Sequence, residues 1–322
     1  MKKCHERTNK LFSVVIPNYK RTHELKRAID SVLRQDGYDD LIENIFIVDD
    51  KSENIDEIEV IINDYNRKEI ILIKNDFKSN AAYTRNQGAR YAISEWICFL
   101  DSDDTFTPTK VKELSEFIKN DMDVIYNKAF VYFDDTLDDI VPHRALNSHE
   151  DISDYLFFSK EYMQTSTLTV RRSFFNAYGF NENYKRHQDY DLCLTFQQTG
   201  MRIAFLDIPC TNIIWGGSER PIMKGESFEY SLNWLNENRG RITDLAYDSF
   251  YWSFIVIKAA RSSNKIQSIK YFLGMNKKNI RFKDLLIYLT ILSIPSILQH
   301  KIYLAYKRLN TYERKNKSGI TS

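Results

Sequence analysis

Trp96-Ile97-Cys98-Phe99-Leu100-Asp101-Ser102-Asp103-Asp104 is an apolar run that ends in three carboxylates within four residues. The pattern is that of a buried strand delivering acids to the edge of a sheet. Burying several unpaired carboxylates is costly, so these acids must be solvated, capped by backbone N–H groups or neutralised by a cation. A hard divalent ion, Mg²⁺ or Mn²⁺, meets those needs. Such ions take oxygen ligands, and Mg²⁺ typically uses one or two protein carboxylates and fills its shell with phosphate oxygens and water. Asp101, Asp103 and Asp104 are therefore candidate metal ligands. The competing reading is an acidic turn in which Asp103 or Asp104 caps a helix entered at Thr107-Pro108.

Upstream, Leu11-Phe12-Ser13-Val14-Val15-Ile16-Pro17 has the composition of a buried parallel strand. Leu25, Ala28, Ile29, Val32 and Leu33 then form the stripe of an amphipathic helix, which should stop near Asp36-Gly37. Further strands are expected at Ile45-Phe46-Ile47-Val48, ending in Asp49-Asp50-Lys51-Ser52, and at Ile70-Ile71-Leu72-Ile73. This alternation predicts an α/β fold, a mostly parallel sheet with helices on both faces and ligands bound beyond the carboxyl ends of the strands. Those ends are Pro17-Asn18-Tyr19, Asp49-Asp50 and the acids at 101–104. No GxGxxG follows the first strand and no GxxxxGK[ST] occurs, so neither a dinucleotide fold nor a P-loop is supported. With ten glycines in the chain, phosphate binding falls to side chains and a metal.

The length of 322 residues, with 43% hydrophobic residues, suits one large domain or two small ones. A formal net charge of +1 gives no global reason to expect a nucleic-acid partner. Cys4, Cys98, Cys193 and Cys210 are scattered without CxxC spacing, which suggests reduced thiols and neither disulfides nor zinc. No apolar segment follows Met1-Lys2-Lys3 closely enough to act as a signal peptide, so the catalytic part is expected in the cytoplasm. In Asn80 to Ala92, Ala82, Arg85, Ala89 and Ala92 share one helical face, which aims a guanidinium along small residues toward the sheet.

Val14-Val15-Ile16-Pro17-Asn18-Tyr19-Lys20-Arg21, Val48-Asp49-Asp50-Lys51-Ser52, Ala82-Tyr83-Thr84-Arg85-Asn86-Gln87-Gly88-Ala89 and Phe99-Leu100-Asp101-Ser102-Asp103-Asp104 together resemble the ordered motifs of family 2 glycosyltransferases. The resemblance spans about residues 11 to 220. It implies a GT-A, Rossmann-like fold, a nucleotide-sugar donor such as a UDP-sugar, a divalent metal and inversion at the anomeric carbon. It also implies that Pro17 and Tyr19 line the base pocket, that Asp49 or Asp50 hydrogen-bonds the base, and that Arg85 sits near base or diphosphate. Arg21 and Ser102 fall among the donor-binding positions. Asp101 and Asp103 fill the DxD positions, with Asp104 extending them.

Beyond Pro108 a helix is expected through Val111, Leu114, Phe117 and Ile118, then a strand at Met122–Tyr126. Asp134-Asp135 and Asp138-Asp139 flank Thr136-Leu137 and read as solvated acids around a turn, not a second metal site. Gln164 to Arg172 reads as a strand and Gly179-Phe180-Asn181-Glu182 as a turn. Arg186-His187-Gln188-Asp189-Tyr190-Asp191-Leu192 opens a helix that ends by Gly200. Inverting transfer needs a base for the acceptor hydroxyl, and Asp189 matches the family's base position. Gln188 stands where the family usually has Glu. The alternatives are Asp189 as helix N-cap, with Asp191 as a first-turn dipole partner, and His187 as the base. Ile214 to Arg220 is similar to the loop that closes over the donor phosphates, without the histidine ligand many relatives carry there.

These readings divide the chain into a catalytic domain, 1–224, with a donor half at 11–108 and an acceptor half at 109–224, and a helical, basic region at 225–322. Leu285 to Leu298 is apolar but too short to span a bilayer. Lys277, Lys278, Arg281 and Lys283 precede it, and Lys301, Lys307, Arg308, Arg314, Lys315 and Lys317 follow, opposed only by Asp284 and Glu313. Such framing suits an in-plane helix on an anionic leaflet, and the alternative is a hairpin packed on the catalytic domain. The expected partners are a nucleotide-sugar donor, a saccharide or polyprenyl-linked saccharide acceptor and the inner face of the cell membrane. The competing functions are a nucleotidyltransferase making sugar nucleotides and a non-catalytic nucleotide-sugar-binding protein at the membrane.

Overall fold

The computed structural model describes residues 10–133, 136–215, 227–262, 264–280 and 282–294. Cys4, Asp134-Asp135, the loop at 216–220, Arg281, the side chain of Lys283, 295–298 and the basic residues from Lys301 onward lie outside the described residues. The chain divides into two compact units, Met1–Ile152 with Glu161–Ser218, and Ser153–Lys160 with Glu219–Ser322.

The first unit begins with β1 (Phe12–Asn18), α1 (His23–Leu33), a single turn α2 (Tyr38–Leu41), β2 (Ile42–Asp49), α3 (Ile55–Asp64), β3 (Ile70–Lys74), α4 (Ala81–Tyr91) and β4 (Trp96–Phe99). All seven residues of β1 and all four of β4 are buried, as continuous apolar runs in a parallel sheet require. Then come β5 (Thr105–Phe106), α5 (Lys110–Phe117), β6 (Val124–Phe133), β7 (Thr136–Val141), β8 (Leu168–Arg171), α6 (Arg172–Ala177), α7 (Gln188–Gln198) and β9 (Ile203–Trp215). The strand order is β3-β2-β1-β4-β8-β6-β9-β5, with β7 beside β6. The chain steps outward from β1 to β3 and then returns with β4 to the other side of β1. The crevice at the carboxyl ends of β1 and β4 is thus the topological switch point, where ligands of open α/β sheets bind.

Three local expectations are corrected. Thr136-Leu137 is not a turn but the start of β7, paired antiparallel with β6, so Asp138 and Asp139 lie on a strand. Gln164 to Thr167 is not strand: the Gln164 side chain accepts from Ser166 N–H at 2.9 Å, closing a short turn before β8. Arg172 begins α6 and does not extend that strand.

The second unit carries α8 (Phe228–Glu237), α9 (Asp244–Phe250), α10 (Ile257–Arg261), α11 (Lys265–Gly274) and α12 (Phe282–Ser293). Residues 153–160 belong to it. Thr243 caps α9 by accepting from Ala246 N–H at 3.0 Å and bonds Asp154 at 2.5 Å, while Phe157 packs edge-on against Trp234 and Phe250.

α4 lies close on β1 and β2 because Gly88 faces them. A Cβ there would meet Val15 Cγ1 at 2.5 Å and Val48 Cγ2 at 3.0 Å. Gly88→Ala should therefore destabilise the protein by about 1–3 kcal/mol through overpacking, despite alanine's better helix propensity. Urea unfolding checks this, and an unchanged or higher midpoint would refute the close approach.

Candidate active site

β4 runs into Asp101, Ser102, Asp103 and Asp104, and each acid meets a different environment. Asp104 is buried. Its Oδ2 accepts from Ser166 Oγ at 2.6 Å and Gln164 Nε2 at 3.2 Å, and its Oδ1 from Ile214 N–H at 3.1 Å. It caps no helix, since Thr109 precedes α5. Burial, reinforced by the charges of Asp103 and Asp101, pushes its carboxyl up to about 8. Asp103 faces outward with Arg21 Nη2 2.7 Å from its Oδ2, while Arg21 Nη1 donates to Ser102 Oγ at 3.2 Å. Burial raises the Asp103 carboxyl also, against the pull of Arg21. One oxygen from each of the three aspartates lies within 4.8 Å of the others.

This donor set fits a hard divalent cation, because it is all carboxylate oxygen and its charges repel one another unless one is neutralised. Asp103 and Asp101 are the less buried of the three. Asp104 has both oxygens engaged by protein donors and braces the turn. Behind it, fully buried Lys110 donates to Ser166 O at 2.9 Å and Thr211 Oγ1 at 3.2 Å. Burial pushes the Lys110 ammonium down to about 8.

Arg85 joins the acids to α7. Its Nη2 lies 2.5 Å from Asp101 Oδ1, and its Nη1 donates to Gln188 Oε1 at 2.9 Å. It is buried on the small-residue face of α4, with its Nε lacking a hydrogen-bond partner among the described residues. The α4 face also fixes the loop leading into α7. Asn86 donates to Phe180 O and Glu182 Oε1 and accepts from Phe180 N–H, each at 2.9 Å. Gly179, at φ +74, leaves no room for a Cβ, which would sit 2.8 Å from Asn86 Oδ1.

α7 starts at Gln188, so Asp189 is not its N-cap. His187 holds that position in a left-handed conformation, φ 59 and ψ 23, with its ring stacked on Tyr190. Asp189 Oδ1 accepts from Tyr190 N–H at 3.0 Å. Burial raises the Asp189 carboxyl above its ordinary range, although the Tyr190 amide and Arg85 draw it down. Arg85, Asp101, Gln164, His187, Gln188 and Asp189 line one cavity of about 140 Å³.

At the ends of β1 and β2, Pro17 is buried in the strand and Tyr19 is 40% exposed. Asp49 is wholly engaged in its turn, accepting from Ser52 N–H at 2.7 Å and Ser52 Oγ at 2.6 Å. Asp50 accepts from Ser79 N–H and Ser79 Oγ and pairs with Lys78, whose Nζ lies 3.3 Å from the Tyr19 ring centre. Burial would raise the Asp50 carboxyl, but Lys78, Ser79 and Asn75 outweigh it and hold it low. Lys78, Lys110, Gln164 and Ser166 are site residues that sequence reading missed. Lys110 alone left a signal, as a lysine on the inward stripe of α5 beside Val111 and Leu114.

A family model described as Glycosyl transferase family 2 matches residues 13–185, and the chain belongs to that family. It is 29% identical over 283 residues to the amylovoran biosynthesis glycosyltransferase AmsB of Erwinia amylovora, covering 83% of this chain and 92% of that one. WfgD of Escherichia coli, a UDP-Glc:alpha-D-GlcNAc-diphosphoundecaprenol beta-1,3-glucosyltransferase, is 31% identical over 117 residues, 36% of this chain and 44% of its own. The structure of S. aureus TarS 1–349 in complex with UDP-GlcNAc matches with a TM-score of 0.57 at 17% identity, over 96% of this chain and 92% of that one. That likeness is one of fold, and the fold is GT-A.

Ser166 Oγ both donates to Asp104 and accepts from Asp101 N–H at 3.0 Å. Ser166→Ala should cost about 1–3 kcal/mol by leaving buried groups without a partner. It should also raise the metal concentration needed for half-maximal activity. A variant with wild-type stability and metal dependence would remove Ser166 from the brace.

Proposed function

We propose that this enzyme transfers a sugar, with inversion, from a nucleoside-diphosphate donor, uridine in our reading, to a hydroxyl of a saccharide acceptor in bacterial cell-surface polysaccharide synthesis. The observation that carries the reading is the cavity lined by both Asp101, the first acid of the cluster, and Asp189, with Arg85 bonded to Asp101 and to Gln188 between them. AmsB and WfgD, by their names, act in amylovoran synthesis and on a diphosphoundecaprenol-linked sugar. The name of WfgD supports a polyprenyl-linked acceptor, and in our reading it is reached at the inner face of the cell membrane. No helix among the described residues is long and apolar enough to cross a membrane.

Asp103, with Asp101, would hold Mg²⁺ or Mn²⁺, which when bound neutralises charge gathering on the departing diphosphate. Arg21 is placed to move from Asp103 to a phosphate oxygen. Tyr19, 40% exposed, would take the base on its ring once the Lys78 ammonium that lies over it swings aside, and Asp50 would accept from the base edge. Asp189 takes the proton of the acceptor hydroxyl as that oxygen attacks the anomeric carbon. A carboxyl raised by burial is a stronger base for this step than an exposed one. His187, on the same cavity wall, contacts the acceptor.

A panel of nucleotide sugars with Mn²⁺ or Mg²⁺ tests the reading. Nucleoside diphosphate should be released from one donor and chelation should stop it. Pyrophosphate formed from a sugar phosphate and a nucleoside triphosphate would instead establish the nucleotidyltransferase reading. Inert behaviour toward every donor would favour the non-catalytic one.

Asp103→Ala should abolish transfer and metal-dependent donor binding while the fold survives at this outward position. Near-normal turnover by a folded variant would contradict it. Asp189→Asn should lower transfer by roughly 10²-fold or more with donor affinity kept. Because the Asp189 carboxyl is raised in the free protein, the acid limb of the wild-type kcat/KM profile should fall at a pH above the ordinary carboxylate value of about 4. Full rate in Asp189→Asn alongside an inactive His187→Ala would move the base to His187.

A further inference from the structure

We infer that the outward faces of α11 and α12 dock onto an anionic lipid surface. This goes beyond the transfer reaction and rests on the second unit alone. The sequence of α12, Phe-Lys-Asp-Leu-Leu-Ile-Tyr-Leu-Thr-Ile-Leu-Ser, is apolar on almost every side. Its inner side is fully accounted for. Tyr288 and Ile291 are buried in a cluster with Val256 and Ala260, and Tyr288 OH lies 3.1 Å from Ser268 Oγ of α11. Lys265 Nζ donates to the carbonyls of Leu292 and Ile294 at 2.5 and 2.9 Å, closing the end of the helix.

The outer side is equally apolar and bare. Phe282, Leu286 and Leu289, at i, i+4 and i+7, are 75%, 49% and 50% exposed. On α11, Ile266, Ile269 and Leu273, at i, i+3 and i+7, are 74%, 42% and 67% exposed. A helix on the surface of a water-soluble protein carries polar residues opposite its packed face, and these two carry large aliphatic ones instead.

Charge identifies the occupant. From Lys258 to Ser293 the sequence has eight Lys or Arg against the single Asp284, in a chain whose net charge is only +1. Lys270, Lys277 and Lys278 are exposed beside the apolar stripes. A second copy of the chain would bring this positive region against itself, and like charges in a desolvated contact are strongly unfavourable. An anionic leaflet supplies both halves of the match, phosphate for the lysines and acyl chains for the aliphatic faces.

Flotation of the full chain with vesicles of phosphatidylglycerol in phosphatidylcholine, and with phosphatidylcholine alone, tests this at low and high salt. The chain should float with the anionic vesicles, less so at high salt, and poorly with the neutral ones. Leu286→Ser with Leu289→Ser, and separately Ile266→Ser with Leu273→Ser, should each weaken vesicle binding by at least about tenfold. Circular dichroism and nucleotide release with a soluble acceptor should be unchanged. If a serine pair loses its fold, Lys277→Glu with Lys278→Glu gives the same test through charge. The inference is overturned if the full chain stays soluble with every vesicle, if the variants float like wild type, or if these faces instead drive a concentration-dependent dimer in sedimentation.

Discussion

The guanidinium of Arg85 is the link between the two halves of the catalytic unit. It reaches Asp101 at the end of β4 and Gln188 at the start of α7, and both contacts are made from a buried position on α4. The planar guanidinium presents Nη1 and Nη2 in a fixed fork, so each acceptor meets its own nitrogen, whereas a lysine would have to serve both from one ammonium nitrogen on a flexible stem. The small residues Ala82, Gly88 and Ala89 let α4 approach the sheet closely enough for that reach. Asn86, one residue on, holds the loop that leads into α7, so a single helix contacts both Asp101 and the approach to the helix that carries Asp189.

The acidic cluster divides its labour by exposure. Asp104 is turned inward and held by Ser166, Gln164 and the Ile214 amide, with Lys110 behind Ser166 as a buried positive charge. Asp103 is turned outward, where Arg21 is its partner. Three carboxylates this close favour protonation of at least one when no cation is present. Burial first, and the neighbouring carboxylates second, raise the carboxyls of Asp103 and Asp104.

Much of this was legible in the sequence, for identifiable reasons. Short, continuous, β-branched or aromatic runs such as Val14-Val15-Ile16 and Trp96–Leu100, bounded by Pro17 and by acids, match buried strands, and the small-residue face of α4 announced where Arg85 would point. The misreadings fell where side chains override pattern. Gln164 to Thr167 has the β-branched composition of a strand, yet the Gln164 side chain captures the Ser166 amide and folds it into a turn. The acids near Thr136 suggested a turn, whereas pairing with β6 makes 136–141 a strand. Lys78 and Ser166 are separated in sequence from the residues they serve, Asp50 and Asp104, and no local spacing reveals such partners.

The central claim is that Arg85 couples Asp101 to the helix that carries Asp189, the base we propose. It is tested most directly by single-turnover transfer in Arg85→Lys, using the donor found in the nucleotide-sugar panel. A lysine keeps the charge but loses the fixed fork that gives each acceptor its own nitrogen. Donor affinity should stay within several-fold of wild type while the transfer rate falls by about 10²-fold, the scale of a misplacement near 1 Å at a reacting centre. A folded Arg85→Lys protein that transfers sugar at the wild-type rate would contradict the account.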